Sequence, residues 1–282
     1  MSDAARSDLV LCAGTLLRAS LRELAAAAQA GGFGAVSLWP HHVEGARRDG
    51  LSDEGIRALL ADHELVLCEV EPLLAWLPPG SLPESARALA GPPPEFFLDL
   101  ACALGAPRVL CADGFGARAS RGAIVEHFAR VCEAAAARGL VVALEAIPWS
   151  AVPDARAAWE IARATGQRNA GMCLDVWHFF RGGAPLAQLA ELPGERVLSL
   201  QLSDAPAAPW ADLPQESLRA RLLPGEGAID LVAFLRALDS IGCRAPLGAE
   251  VFSETLAAQD PVAVGRLAGD ALRRVMRSAA TA

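Results

Sequence analysis

Short apolar runs alternate with longer amphipathic runs along the chain. The apolar, strand-like runs fall near 8–13, 35–39, 65–71, 107–112, 140–146, 170–176, 196–202 and 246–251. Runs with helical spacing fall near 20–31, 52–63, 93–104, 119–138, 153–166, 184–191, 230–241 and 261–278. Parallel strands need long crossovers, so eight β-then-α repeats predict a parallel sheet with helices outside it. Eight such units in 282 residues predict a single (β/α)8 TIM barrel over residues 1–282, with residues 1–7 disordered or peripheral. Helix starts are marked by Ser52-Asp53-Glu54, Pro94-Glu95 and Asp230, and helix ends by Gly31-Gly32 and Gly139. Two long inserts, 72–93 and 204–228, follow strand C-terminal ends and so belong over the catalytic mouth of a barrel.

Four polar residues interrupt the apolar strands at their C-terminal ends: Glu145, Asp175, Gln201 and Glu250. An isolated buried carboxylate is costly, and a cation is one of the few partners that offsets the cost. Three carboxylates and one carboxamide oxygen form a hard, oxygen-rich set, suited to one divalent ion such as Mn²⁺, Mg²⁺ or Co²⁺. The alternative is four separate buried polar residues, each bonded to barrel neighbours. His178 follows Asp175 by three residues. It reads either as a donor to a substrate oxygen or as a loop histidine capping a helix.

Further candidates lie around these four. Glu69 and Glu71 alternate in the third strand and share a face, and Glu71 is the better pocket candidate. Either glutamate, like Asp113 after the fourth strand, can instead be a rim residue bonded to a basic side chain. Trp39, Trp76, Trp149, Trp177, Phe179 and Phe180 sit at strand ends or in the following loops, in a chain with six Trp and no Tyr. They suggest an aromatic-walled substrate pocket, with Trp39 and Trp177 in contact with the ligand. Simple loop packing is the other reading. Arg219 and Arg221 precede Pro224-Gly225-Glu226-Gly227; Arg221 can bind an anionic substrate, or both can be solvated loop residues. One of the adjacent His41 and His42 can face the pocket.

Composition narrows the partners. The net charge of −8 disfavours nucleic acid. No apolar stretch reaches the roughly 18 residues needed to span a membrane. Seven cysteines show no CxxC pair and fit reduced thiols in the cytoplasm. The expected partners are a small-molecule substrate and a second copy of the chain in a homodimer.

The stretches Ala-Leu-Glu145, Cys-Leu-Asp175-Val-Trp-His178, Ser-Leu-Gln201-Leu-Ser-Asp204, Pro224-Gly-Glu-Gly227 with Asp230, and Gly-Ala-Glu250-Val-Phe resemble the xylose isomerase-like TIM barrel family of sugar phosphate isomerase/epimerase type. The resemblance implies one divalent ion held by Glu145, Asp175, Gln201 and Glu250. It also implies a substrate contact at His178, and catalysis by Glu145, Glu250 and His178. Sugar epimerases of that family usually carry His at the position of Gln201. Gln occurs in members resembling hydroxypyruvate isomerase and 3-dehydroshikimate dehydratase. The implied reaction is therefore isomerisation or epimerisation of a keto-sugar or related hydroxy-carbonyl compound through an enediolate. Dehydration of a keto-cyclitol or dehydroshikimate-like substrate is the alternative.

Overall fold

The computed structural model describes residues 9–281, so the expectation for residues 1–7 lies outside the described residues. Eight strands close into one barrel in chain order, each parallel to its neighbours. They are β1 Leu9–Leu11, β2 Ala35–Leu38, β3 Val66–Leu73, β4 Arg108–Cys111, β5 Val141–Glu145, β6 Ala170–Asp175, β7 Val197–Leu202 and β8 Leu247–Ala249. The outer helices are α1 Leu21–Gly31, α2 Pro40–Arg48, α3 Asp53–Asp62, α4 Pro94–Leu104, α5 Arg121–Ala136, α6 Ala155–Ala164, α7 Val176–Arg181, α8 Leu213–Arg219, α9 Leu231–Ser240, α10 Glu254–Ala257 and α11 Pro261–Thr281.

Local chemistry places most of these starts. Ser20 and Glu23 form a reciprocal capping box on α1, and Ser52, Ser120, Asp154 and Asp230 each accept a backbone N–H in the first turn of their helices. Barrel closure brings α11 against α1. A Cβ on Gly265 would lie 2.1 Å from the Ala27 carbonyl oxygen, and one on Gly269 would lie 2.1 Å from that of Gly31. The two helices approach so closely that no side chain fits between them.

Two expectations differ from the structure. Residues 184–191 do not form an α-helix; a 3₁₀ segment covers Leu186–Glu191, entered by Pro185 and followed by Pro193. Prolines at both ends leave room for little more than one turn. Four short helices that periodicity does not show, α2, α7, α8 and α10, sit at the C-terminal side of the strands. The segment after β6 turns directly into α7 because Asp175 caps it: its Oδ1 accepts from Trp177 N–H at 2.7 Å and His178 N–H at 3.2 Å.

The barrel interior is partly polar. Arg108 donates to Glu69 Oε2 at 2.7 Å, and the Ser199 hydroxyl donates to Glu69 Oε1 at 3.0 Å. Glu69 is therefore the carboxylate of a buried structural ion pair. Asp113 clamps the loops after β4 and β5, accepting from the N–H groups of Phe115, Ala117 and Ala151.

Candidate active site at the barrel mouth

Glu145 ends β5, Asp175 ends β6, Gln201 is the last but one residue of β7, and Glu250 follows β8 directly. All four are buried. Their depths are staggered by the register: Asp175 pairs with Gln201, Glu145 with Cys173, and Gln201 with Gly248. Two groups of side chains result. In one, ligand atoms of Glu145, Asp175 and His178 lie within 4.8 Å of one another. In the other, Cys12, Glu71 and Glu250 do so, and Gln201 Nε2 donates to Glu71 Oε2 at 3.2 Å.

Arg221 links the two groups. Its Nη1 donates to Asp175 Oδ2 at 2.6 Å and lies 3.7 Å from Glu250 Oε2. The guanidinium is fixed on its other edge by the Ser217 carbonyl and hydroxyl, each at 2.9 Å, and lies between the rings of Trp177 and Phe252 at 5.2 and 5.1 Å. Its Nη2 approaches His178 Nε2 at 3.3 Å, and that nitrogen lies 3.5 Å from Glu145 Oε1.

The charges do not balance. Among the described residues, the guanidinium groups of Arg108 and Arg221 face the carboxyls of Glu69, Glu71, Glu145, Asp175 and Glu250. Burial, and then repulsion from Glu250 and Asp175, pushes the Glu145 carboxyl well above its ordinary value. Burial and the neighbouring Glu71 do the same to Glu250; burial and Glu69 do so to Glu71. Asp175 goes the other way: against the effect of its burial, the Arg221 guanidinium and the His178 backbone N–H hold it below its ordinary value. Burial lowers His178 to about 3, so its imidazole is neutral near pH 7. Carboxyls held together against their own repulsion form a donor set that fits a hard divalent cation. Glu145, Asp175 and Glu250 with the Gln201 oxygen are the residues that would hold it.

The other candidates are placed as follows. Glu71 does not reach the mouth unengaged: Ser37 bonds its Oε1 and Gln201 its Oε2. Trp177 is fully buried against His178, with Trp149 beside them; Trp177 Nε1 and His178 Nδ1 have no partner among the described residues. Trp39 packs its ring 6.1 Å from Phe252, and its Nε1 also has no partner among the described residues. Trp76 is no wall of the pocket: it packs on Phe128 and donates to the Ala112 carbonyl. Phe179 likewise packs on Phe234. His41, exposed, contacts the Leu17 carbonyl, whereas His42 is buried and lowered to about 4 by burial and by His41. In the Pro224–Gly227 loop, Asp204 accepts from the Ala205, Gly225 and Ile229 N–H groups. Arg219 is paired with Glu254.

Sequence reasoning missed Ser217, Glu216, Cys12 and Ser37. Glu216 pairs with Arg181, which also donates to the Pro206 carbonyl, and this ties the 204–228 insert to α7. The four-residue spacing of Ser217 and Arg221 is the one signal that pointed to any of them.

The description "Xylose isomerase-like TIM barrel" matches residues 24–276. The chain belongs to the xylose isomerase-like TIM barrel family. It is 31% identical over 245 residues to a 3-dehydroshikimate dehydratase of Pseudomonas aeruginosa, covering 84% of this chain and 37% of that protein. It is 33% identical over 116 residues to an inosose isomerase of Bacillus subtilis, covering 40% of this chain and 41% of that protein. The chain thus spans well under two thirds of the length of these relatives. A solved structure described as the IolI protein with a binding zinc atom superimposes with a TM-score of 0.85 at 18% identity, covering 97% of this chain and 99% of that one. At that identity the likeness is one of fold. No described helix is long and apolar enough to cross a membrane.

Proposed function

We propose that the protein is a divalent-metal-dependent isomerase or epimerase acting on a keto-sugar or related hydroxy-carbonyl compound. The observation that carries this reading is the set of three buried carboxyls, Glu145, Asp175 and Glu250, gathered at one barrel mouth around Arg221 and His178. A bound divalent ion supplies Lewis-acid polarisation of a carbonyl and its neighbouring hydroxyl, which favours the enediolate. The structure described as the IolI protein with a binding zinc atom supports a metal ion here, and Mn²⁺, Mg²⁺ and Co²⁺ suit the oxygen-rich set. Glu145 and Glu250 approach the substrate from β5 and β8. One removes the proton α to the carbonyl and the other returns it to the neighbouring carbon or to the opposite face. His178, neutral, hydrogen-bonds a substrate oxygen. Asp175 is charged and fixed by Arg221 and two backbone N–H groups, so it serves as a ligand rather than a base.

A second reading is supported by the 31% identity to a 3-dehydroshikimate dehydratase over 84% of the chain. There the same proton removal is followed by loss of a β-hydroxyl as water. Incubation in D₂O with metal and a panel of keto-sugars, inososes and 3-dehydroshikimate separates the two. An isomerase puts solvent deuterium on carbon and keeps the substrate's oxygen count. A dehydratase releases water and forms a conjugated product with new ultraviolet absorption. Absence of both, with the ion bound, refutes proton abstraction at this site.

A further inference from the structure

Glu71 on β3 and Gln201 on β7 meet across the barrel from strands that are not neighbours. Gln201 Nε2 donates to Glu71 Oε2 at 3.2 Å, and the Cys173 thiol donates to Gln201 Oε1 at 3.1 Å. The other Glu71 oxygen bonds the Ser37 hydroxyl, which accepts from Ala13 N–H at 2.9 Å. Glu71, Gln201, Ser37 and Cys173 are all buried. A carboxamide has two ends of nearly equal shape and opposite polarity, and only the oxygen carries lone pairs for a cation. Shape alone therefore does not decide which end of Gln201 faces an ion. A carboxylate oxygen accepts, so it draws the NH₂ end toward itself and turns the oxygen away. The thiol that now meets that oxygen is a weak donor and yields it readily.

We propose that Glu71 is a positioning residue that orients the Gln201 amide so that its oxygen, and not its nitrogen, is offered to the cation. The proposal rests on the reading of Gln201 as a ligand. It gives a reason for a carboxyl that is buried and yet engaged on both oxygens by neutral partners, Ser37 and Gln201. Outer partners of metal ligands typically carry about 10- to 100-fold in metal affinity.

A double-mutant cycle on the metal-stripped, full-length protein tests it, with Mn²⁺ affinity read by calorimetry or electron paramagnetic resonance. The four proteins are wild type, Glu71→Leu, Gln201→Ala and the double variant, each first checked for a cooperative melt. Glu71→Leu, which leaves no acceptor for Gln201 Nε2, is expected to weaken Mn²⁺ binding about tenfold in the presence of Gln201. In the Gln201→Ala background its effect should fall below about threefold. Equal weakening in both backgrounds overturns the proposal, because Glu71 then acts by its charge or as a ligand itself. An unchanged affinity in Glu71→Leu overturns it as well. If a variant unfolds or binds too weakly to measure, the Gln201 side-chain amide in wild-type nuclear magnetic resonance decides. One shifted, slowly exchanging amide proton supports the oriented amide, and two freely exchanging protons overturn it. Failure of wild type to bind Mn²⁺, Mg²⁺, Co²⁺ or Zn²⁺ removes the metal-enzyme reading and this inference together. Binding by wild type without coupling between positions 71 and 201 overturns this inference alone.

Discussion

Replacing Glu145 by Gln keeps the shape of a buried side chain and removes a charge that its surroundings resist. Burial raises this carboxyl first, Glu250 and Asp175 raise it further, and Arg221 compensates only in part. Its Oε1 lies 3.5 Å from the neutral His178. If this carboxylate moves the α-proton, its loss should slow turnover by about 10²–10⁴-fold, or about 3–5 kcal/mol of barrier. The same change should stabilise the metal-free protein. Each unit by which folding raises a carboxyl costs about 1.4 kcal/mol once the unfolded chain is ionised. At pH 7 the cost has a ceiling near 4 kcal/mol, since a group raised beyond the ambient pH stays protonated in the fold and the unfolded value is about 4.3. The folded value is raised, so the contribution is present below the unfolded value and lost as pH rises. The gain from Glu145→Gln should therefore be large at pH 7–8 and small at pH 5. At about 2–4 °C per kcal/mol for a chain approaching this size, it reads as several degrees in Tm. The assay pairs melting in chelator across pH 5–8 with kcat, KM and metal content at saturating Mn²⁺. A metal-free variant that melts lower than wild type refutes the repulsion. A variant that keeps the ion and turns over within about tenfold of wild type refutes the role of Glu145 as base.

Elemental analysis should find about one divalent ion per chain, and the rise in Tm on adding it should be greater at pH 8 than at pH 5.5, because the raised Glu145 and Glu250 carboxyls must lose their protons to bind it. Gln201→Leu should lose metal and rate together, whereas Gln201→His should keep measurable activity with a shift toward Zn²⁺, read by metal competition. His178→Asn should leave metal content unchanged while kcat falls; loss of the ion instead would make His178 a ligand. Arg221→Met breaks a buried pair with Asp175 and should destabilise the metal-free protein by about 3–5 kcal/mol in urea melts.

The barrel itself was legible from the chain alone. Eight apolar runs separated by amphipathic ones admit few arrangements once parallel pairing and crossover length are imposed, and the observed strand order is the sequential one. Glu145, Asp175, Gln201 and Glu250 could be singled out for a related reason. A lone polar residue at the end of a four-residue apolar run contrasts sharply with its neighbours, and the C-terminal end of a barrel strand opens onto the mouth. Short helices such as α7 and α8 escaped periodicity because seven residues or fewer hold too little of a helical repeat to read. Which polar residues become partners was decided only in three dimensions. Glu69 and Glu71 are two residues apart on one face, yet one belongs to Arg108 and Ser199 and the other to Ser37 and Gln201. Ser199 and Gln201 each lie 130 residues from the glutamate they bond. Arg221 read equally well as a solvated loop arginine until the fold of the 204–228 insert placed it against Asp175. Secondary structure follows from local periodicity, which a chain displays directly. Charge balance at the mouth depends on stagger between strands and on where long loops return, and both arise only when the barrel closes.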